Sequence, residues 1–150
     1  MEDLFDYENL RHALMNRKYF SGFAGDITSF LVHTLLLSTD LVMDPMKKKE
    51  KVREFINPPL CRISERLVFS EPYDEEENHN ILDRENEAFY IRELYHDKRL
   101  HLEVAKLKNI FQTKAQSLLH GDLHTGSIFA KEGATRILDP EFAFYGPDGP

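Results

Sequence analysis

The sequence predicts an α+β fold, mostly helical, with one short β-hairpin near its end. Three observations carry that expectation. Apolar residues recur every three or four positions through the first two-thirds of the chain, residues that cap or break helices fall between these stretches, and past Leu119 short β-prone runs take over.

The elements follow in order. Ile27, Phe30, Leu31, Thr34, Leu35 and Leu41 share a face at helical spacing, and Asp26 stands where it can accept from open first-turn amides, which predicts a core helix. Asp44-Pro45 and Asn57-Pro58 each pair a capping side chain with a proline at the first turn, where no amide hydrogen is needed, so each opens a further helix. Lys47, Lys48, Lys49 and Lys51 read as the solvated face of the first of these. Pro72 to Asn80, with Asp74, Glu75, Glu76 and Glu77, has no apolar period and reads as a solvated loop. Leu100, Val104, Leu107, Phe111, Ala115 and Leu118 predict a long amphipathic helix ending near Leu119. Ile128-Phe129-Ala130 and Arg136-Ile137-Leu138, joined through Lys131-Glu132-Gly133-Ala134, predict the hairpin.

Composition narrows the function classes. A chain of 150 residues with 41% hydrophobic and 30% charged side chains can bury a core and fold as one ordinary domain. A net charge of -7 argues against nucleic acid as a partner, because phosphate-backbone affinity needs clustered lysine and arginine. Cys61 is the only cysteine, so no intramolecular disulfide and no thiolate-rich zinc site can form. No long apolar run and no basic leader occurs, so a cytoplasmic protein without a membrane partner is expected.

The chemistry concentrates late. His120-Gly121-Asp122-Leu123-His124-Thr125-Gly126-Ser127-Ile128 follows the long helix, and Asp139-Pro140-Glu141 follows the hairpin. A hairpin returns the chain to where it left, so Asp122 and Asp139 are expected together although 17 positions separate them. Asp139 and Glu141 are two positions apart and would point to one side of an extended backbone, a hard-oxygen pair suited to Mg²⁺. Phosphoryl transfer needs metal ions against the phosphate charge and a separate carboxylate that orients the attacking hydroxyl and takes its proton. Asp122 fits that second role. His120 and His124 flank Asp122 at a spacing that also suits zinc, but the downstream acidic pair favours magnesium, with His120 holding the loop by hydrogen bonding. Phe142, Phe144 and Tyr145 read as packing residues, and His12, His33, His79, His96 and His101 have no partner at readable spacing.

The run from His120 to His124 resembles the catalytic loop of aminoglycoside phosphotransferases and choline kinases. Thr125-Gly126-Ser127, with serine where most of those relatives have asparagine, and the run from Asp139 to Pro147 narrow the resemblance to the methylthioribose kinase family. Phe55-Ile56-Asn57-Pro58 and the run from Leu102 to Lys108 extend it over essentially the whole chain. The resemblance implies a protein-kinase-like C-terminal lobe truncated at both ends, with residues 1–5 an inter-lobe linker remnant and 6–150 a partial catalytic lobe. It implies transfer of the γ-phosphate of ATP to the C1 hydroxyl of 5-methylthioribose, a step of methionine salvage, with ATP and Mg²⁺ as cofactors.

Carried over residue by residue, the resemblance makes Asp122 the catalytic base and sugar contact. Glu2, Asp3, Leu4, Asp139, Pro140 and Glu141 become ATP contacts, with Asp139 and Glu141 the metal ligands. Ser127 offers the metal no charge. No G-x-G-x-x-G occurs among the seven glycines, so the isolated chain is expected to be inactive. The alternative reading is a non-catalytic remnant lobe acting as a binding or dimerisation module, with a homodimer as its assembly.

Overall fold

The computed structural model describes residues 3–147. They form two compact units: the residues up to Ile56 together with those from Gln116 onward, and the unbroken stretch Asn57–Ala115. The architecture is α+β and mostly helical.

The first unit contains β1 (Glu8–Asn9), α1 (Leu10–Met15), α2 (Phe23–Leu31), α3 (Pro45–Glu54), β2 (Ser117–Leu119), β3 (Ile128–Lys131), β4 (Ala134–Ile137) and β5 (Phe144–Gly146). β3 and β4 are the predicted hairpin, with Ile128 opposite Ile137 and Lys131 opposite Ala134. Gly133 supplies the positive φ of 73° that its tight turn requires. β1 lies antiparallel on the other edge of β3, giving a three-stranded sheet in the order β1-β3-β4. β2 pairs separately with β5, Ser117 opposite Gly146 and Leu119 opposite Phe144. Alternation along β3 buries Ile128 and Ala130, and Leu10, Ala13, Phe144 and Tyr145 are the other buried apolar residues of this unit.

Three expectations change here. α2 begins at Phe23, after Gly22 at φ 81°, so Asp26 sits inside the first turn instead of capping it. Its charge still complements the positive end of the helix dipole. Ile27, Phe30, Leu31, Thr34 and Leu35 do share the inward face as they run on into a π-helical turn, Val32–Leu36, but all are half-buried. Leu41 lies past the helical run and is 86% exposed. In α3 the cap is as expected, Asp44 Oδ1 accepting from the amides of Met46 at 3.0 Å and Lys47 at 3.1 Å. Lys48, however, is not part of a solvated face. It is only 6% exposed, and its Nζ donates to the Gln116 carbonyl at 2.8 Å and pairs with Asp40 at 3.0 Å. Helical rotation turns position 48 inward, and the long stem lets the ammonium reach the Gln116 carbonyl.

The second unit contains α4 (Pro58–Phe69), α5 (Glu87–Tyr90), running on into a π-helical turn over Ile91–Tyr95, and α6 (Lys98–Thr113). α4 starts where expected, but Asn57 makes no side-chain cap; it adopts φ 36°, ψ 53°, and Pro58 takes the first helical position. α6 is capped by Asp97, whose Oδ1 accepts from Arg99 and Leu100. It ends at Thr113, six residues before the predicted end, because Ser117–Leu119 is drawn into β2. α4 meets α6 through the Phe69 and Phe111 rings, 5.3 Å apart, and through Glu65, which pairs with Lys108 at 3.0 Å and accepts from Gln112 at 2.9 Å. Asp74 to Glu77 are exposed as expected, whereas Glu71 just before them is buried and meets His79 at 3.0 Å. His101 also has a partner, donating from Nε2 to the Leu94 carbonyl at 2.6 Å. Among the described residues no helix is long and apolar enough to cross a membrane.

Candidate active site

β2 delivers the chain to His120, which is buried. Its Nε2 donates to the Leu138 carbonyl at 2.9 Å, and the Phe30 ring stands edge-on at 6.2 Å. Leu138 in turn donates its amide to the Ser127 carbonyl at 2.8 Å. These two bonds fasten the loop His120–Ser127 to the residue that precedes Asp139, so the two acidic loops do meet.

Gly121 makes the approach possible. Its φ is 84°, and a Cβ there would lie 2.1 Å from the Phe142 carbonyl oxygen, so any side chain would drive the loops apart. Asp122 projects a half-exposed carboxylate whose Oδ2 lies 3.6 Å from His124 Nε2. Ser127 is buried and closes the loop on itself: its Oγ accepts from the His124 amide at 3.1 Å and donates to the His124 carbonyl at 2.9 Å. The serine thus has a structural task.

Asp139 lies in the left-handed region at φ 66°, ψ 53°, and Pro140–Phe142 forms a 3-10 turn. This backbone is not extended, so the period-two argument for Asp139 and Glu141 does not apply to it. A non-glycine residue held there costs about 1–3 kcal/mol, a strain that clusters at functional sites. Asp139 lines a cleft of about 350 Å³ together with His124, Gly126, Ser127, Phe129 and Leu138. Asp122, Pro140 and Glu141 are exposed on the same two loops without forming its walls. Among the described residues no group of three or more histidine, cysteine, aspartate or glutamate side chains is placed to hold a metal ion.

The N-terminal residues expected at the nucleotide divide. Glu2 lies outside the described residues. Asp3 is exposed and accepts from the Phe5 amide at 3.0 Å, while the half-buried Leu4 accepts from the Tyr7 amide at 2.9 Å. The residue that sequence reasoning missed is Asn9. Its Oδ1 accepts from the Arg11 amide at 3.1 Å as the cap of α1, and its Nδ2 donates to the Gly126 carbonyl at 2.7 Å. The Arg11 amide also reaches the Thr125 carbonyl at 3.2 Å. Asparagine ahead of a helical run is a readable cap signal; the second bond has no local signature.

Compared with known proteins, the chain is similar to the methylthioribose kinase of Geobacillus thermodenitrificans, with 44% identity over 149 residues, 99% of this chain and 37% of that protein. Against the methylthioribose kinase of Exiguobacterium sibiricum the identity is 44%, covering 99% of this chain and 38% of the relative. Against that of Yersinia pestis it is 40% over 151 residues, covering 99% and 36%. The chain therefore spans somewhat over a third of the length of these curated relatives. No family model matches it.

Proposed function

We propose, from the premise that this chain belongs by part of their length to the methylthioribose kinase family, that it carries the acceptor-side and metal-side carboxylates of a kinase. The reaction is transfer of the γ-phosphate of ATP to the C1 hydroxyl of 5-methylthioribose. The observation that carries this reading is the double tether through Leu138, which sets the Asp122 loop beside the Asp139 turn.

The donor types suit the proposed metal. Mg²⁺ takes one or two protein carboxylates and completes its shell with water and phosphate oxygens, and Asp139 and Glu141 offer two exposed carboxylates on one loop. Asp139 and Glu141 would hold it. Once bound, it neutralises charge on the nucleotide phosphates. Asp3, Leu4 and Pro140 are read as further nucleotide contacts, with Glu2 assigned alongside them from sequence alone. Asp122 orients the acceptor hydroxyl and takes its proton, and because an anomeric hydroxyl is more acidic than an ordinary alcohol, a carboxylate is base enough. The isolated chain is read as inactive, since its sequence holds no glycine-rich loop to cover the phosphates.

The test pairs nucleotide titration with a product assay for phosphorylated 5-methylthioribose, in a full-length kinase carrying this sequence. Asp139→Asn and Glu141→Gln should each weaken Mg²⁺-dependent ATP binding. Unchanged binding in both variants would sink the metal assignment.

A second reading, a binding or dimerisation module, draws on apolar side chains exposed on α4 and α6, among them Ile63, Leu67, Leu102, Leu107 and Ile110. Sedimentation of the chain as a dilutable homodimer would favour its dimerisation form; a monomer at all concentrations would end that form.

A further inference from the structure

We infer that His124 is a positioning residue for Asp122, locked as the Nε2–H tautomer and aimed at one oxygen of that carboxylate. The inference rests on the kinase reading for the role of Asp122 but not for its geometry. The imidazole Nδ1 lies 2.9 Å from the Gly126 amide, which can only donate, so Nδ1 must be the bare acceptor nitrogen. The proton of the neutral ring then sits on Nε2, the atom 3.6 Å from Asp122 Oδ2. That separation is longer than a formed hydrogen bond, as catalytic contacts often are before substrate is bound.

The surroundings are built to hold the ring. A Cβ on Gly126 would fall 2.5 Å from His124 Cε1 and 2.9 Å from Nδ1, so only glycine lets the amide come under the imidazole. The Gly126 carbonyl is fixed from its other side by Asn9, and the His124 backbone is gripped at both its amide and its carbonyl by Ser127.

The chemical consequence concerns proton traffic. With Nε2–H directed at Oδ2, the other Asp122 oxygen is left for the acceptor hydroxyl. His124 has no vacant nitrogen, since Nδ1 is engaged by Gly126 and Nε2 already carries hydrogen. A proton taken from the acceptor therefore stays on Asp122, and His124 orients the base without being one.

The test is nitrogen–proton NMR of the histidine side chains in the intact chain, with the His124 signals assigned by their loss in His124→Asn. The expected result has three parts: Nδ1 unprotonated and Nε2 protonated at neutral pH; loss of that preference in Gly126→Ala but not in Gly25→Ala, whose Cβ meets nothing within 4 Å; and an upfield shift of the Nε2 proton in Asp122→Asn. Unchanged core amide signals of Ile128 and Ala130 check folding, and Asp122→Ser serves if the asparagine variant fails that check. An Nδ1-protonated or evenly mixed ring overturns the inference, as does an Nε2 proton indifferent to both Asp122 variants. None of these readouts involves phosphoryl transfer, so failure of the kinase reading and failure of the His124 assignment are separately visible.

Discussion

Asn9 and Gly126, 117 positions apart in sequence, are joined by a 2.7 Å hydrogen bond from the asparagine side-chain amide to the glycine carbonyl. The same side chain caps α1 through its oxygen. One residue thus starts a helix and anchors the loop that carries Asp122, so helix stability and loop geometry are coupled through a single amide.

Replacing Asn9 should separate those two duties. Asn9→Ala removes the cap and the loop bond and should destabilise the first unit by about 2 kcal/mol, roughly 1 for each. Asn9→Asp keeps an acceptor for the Arg11 amide and loses the donor to Gly126, so its midpoint in urea should fall between wild type and alanine. An Asn9→Asp midpoint equal to that of wild type would mean that the long-range bond contributes nothing.

Gly121 and Gly25 predict opposite signs for the same substitution. At Gly121 a methyl group meets the Phe142 carbonyl at 2.1 Å and the backbone has φ 84°, so Gly121→Ala should lose well over about 1 kcal/mol. Gly25 lies in α2 with open space around it, so Gly25→Ala should gain about 0.5–1 kcal/mol. Denaturant midpoints of both variants, taken side by side, decide this.

Lys48 tests the buried ammonium. Lys48→Met removes the charge-assisted hydrogen bond from the ammonium to the Gln116 carbonyl and should cost about 1–3 kcal/mol. Asp40 is mostly exposed, so Asp40→Asn should cost about 1 kcal/mol or less. If the aspartate variant is the more damaging in thermal unfolding, the ion pair outweighs the carbonyl bond.

Glu65 predicts a pH dependence for the second unit. The Gln112 side-chain amide first, and Lys108 second, hold its carboxyl below the usual glutamate value. A depressed acid contributes stability that is present above its unfolded pKa and is lost as pH falls through the folded one. Unfolding midpoints of the chain should therefore drop as pH falls below the ordinary carboxylate range, and Glu65→Gln should flatten that drop. A Glu65→Gln profile parallel to wild type would contradict it.

For Asp122, a full-length kinase carrying Asp122→Asn should bind ATP nearly as wild type and turn over about 10²- to 10⁴-fold more slowly, because asparagine keeps the volume and loses the proton acceptor. ATP titration and the product assay must be run together. Equal losses of affinity and rate would recast the residue as structural, and unchanged turnover would remove it from the mechanism.

What could be read ahead of the structure was what neighbours encode. The Asp44-Pro45 helix start, the β3–β4 hairpin around Gly133 and the meeting of the two acidic loops depend on residues close in sequence, and all three are present. Leu118 misled because its spacing from Phe111 and Ala115 is helical, while what makes Ser117–Leu119 a strand is Phe144–Gly146, far along the chain. Asn57 has the cap residue type without the cap bond. The two-position spacing of Asp139 and Glu141 was read on an extended backbone, but a positive φ at Asp139 and the 3-10 turn after it depart from that geometry. Lys48 and Asn9 were invisible for one shared reason: each answers a backbone carbonyl more than sixty positions away.

The division of the chain also orders its birth. Asn57–Ala115 is continuous, so all of this unit is made in one unbroken stretch. The other unit must wait: β1 emerges with an unpaired edge, and β3, its hydrogen-bonding neighbour, is translated more than a hundred residues later. Non-local pairings of this kind close slowly and leave strand edges open to the wrong partner. Glu8–Asn9 therefore stays without its sheet neighbour until Ile128–Lys131 has been made.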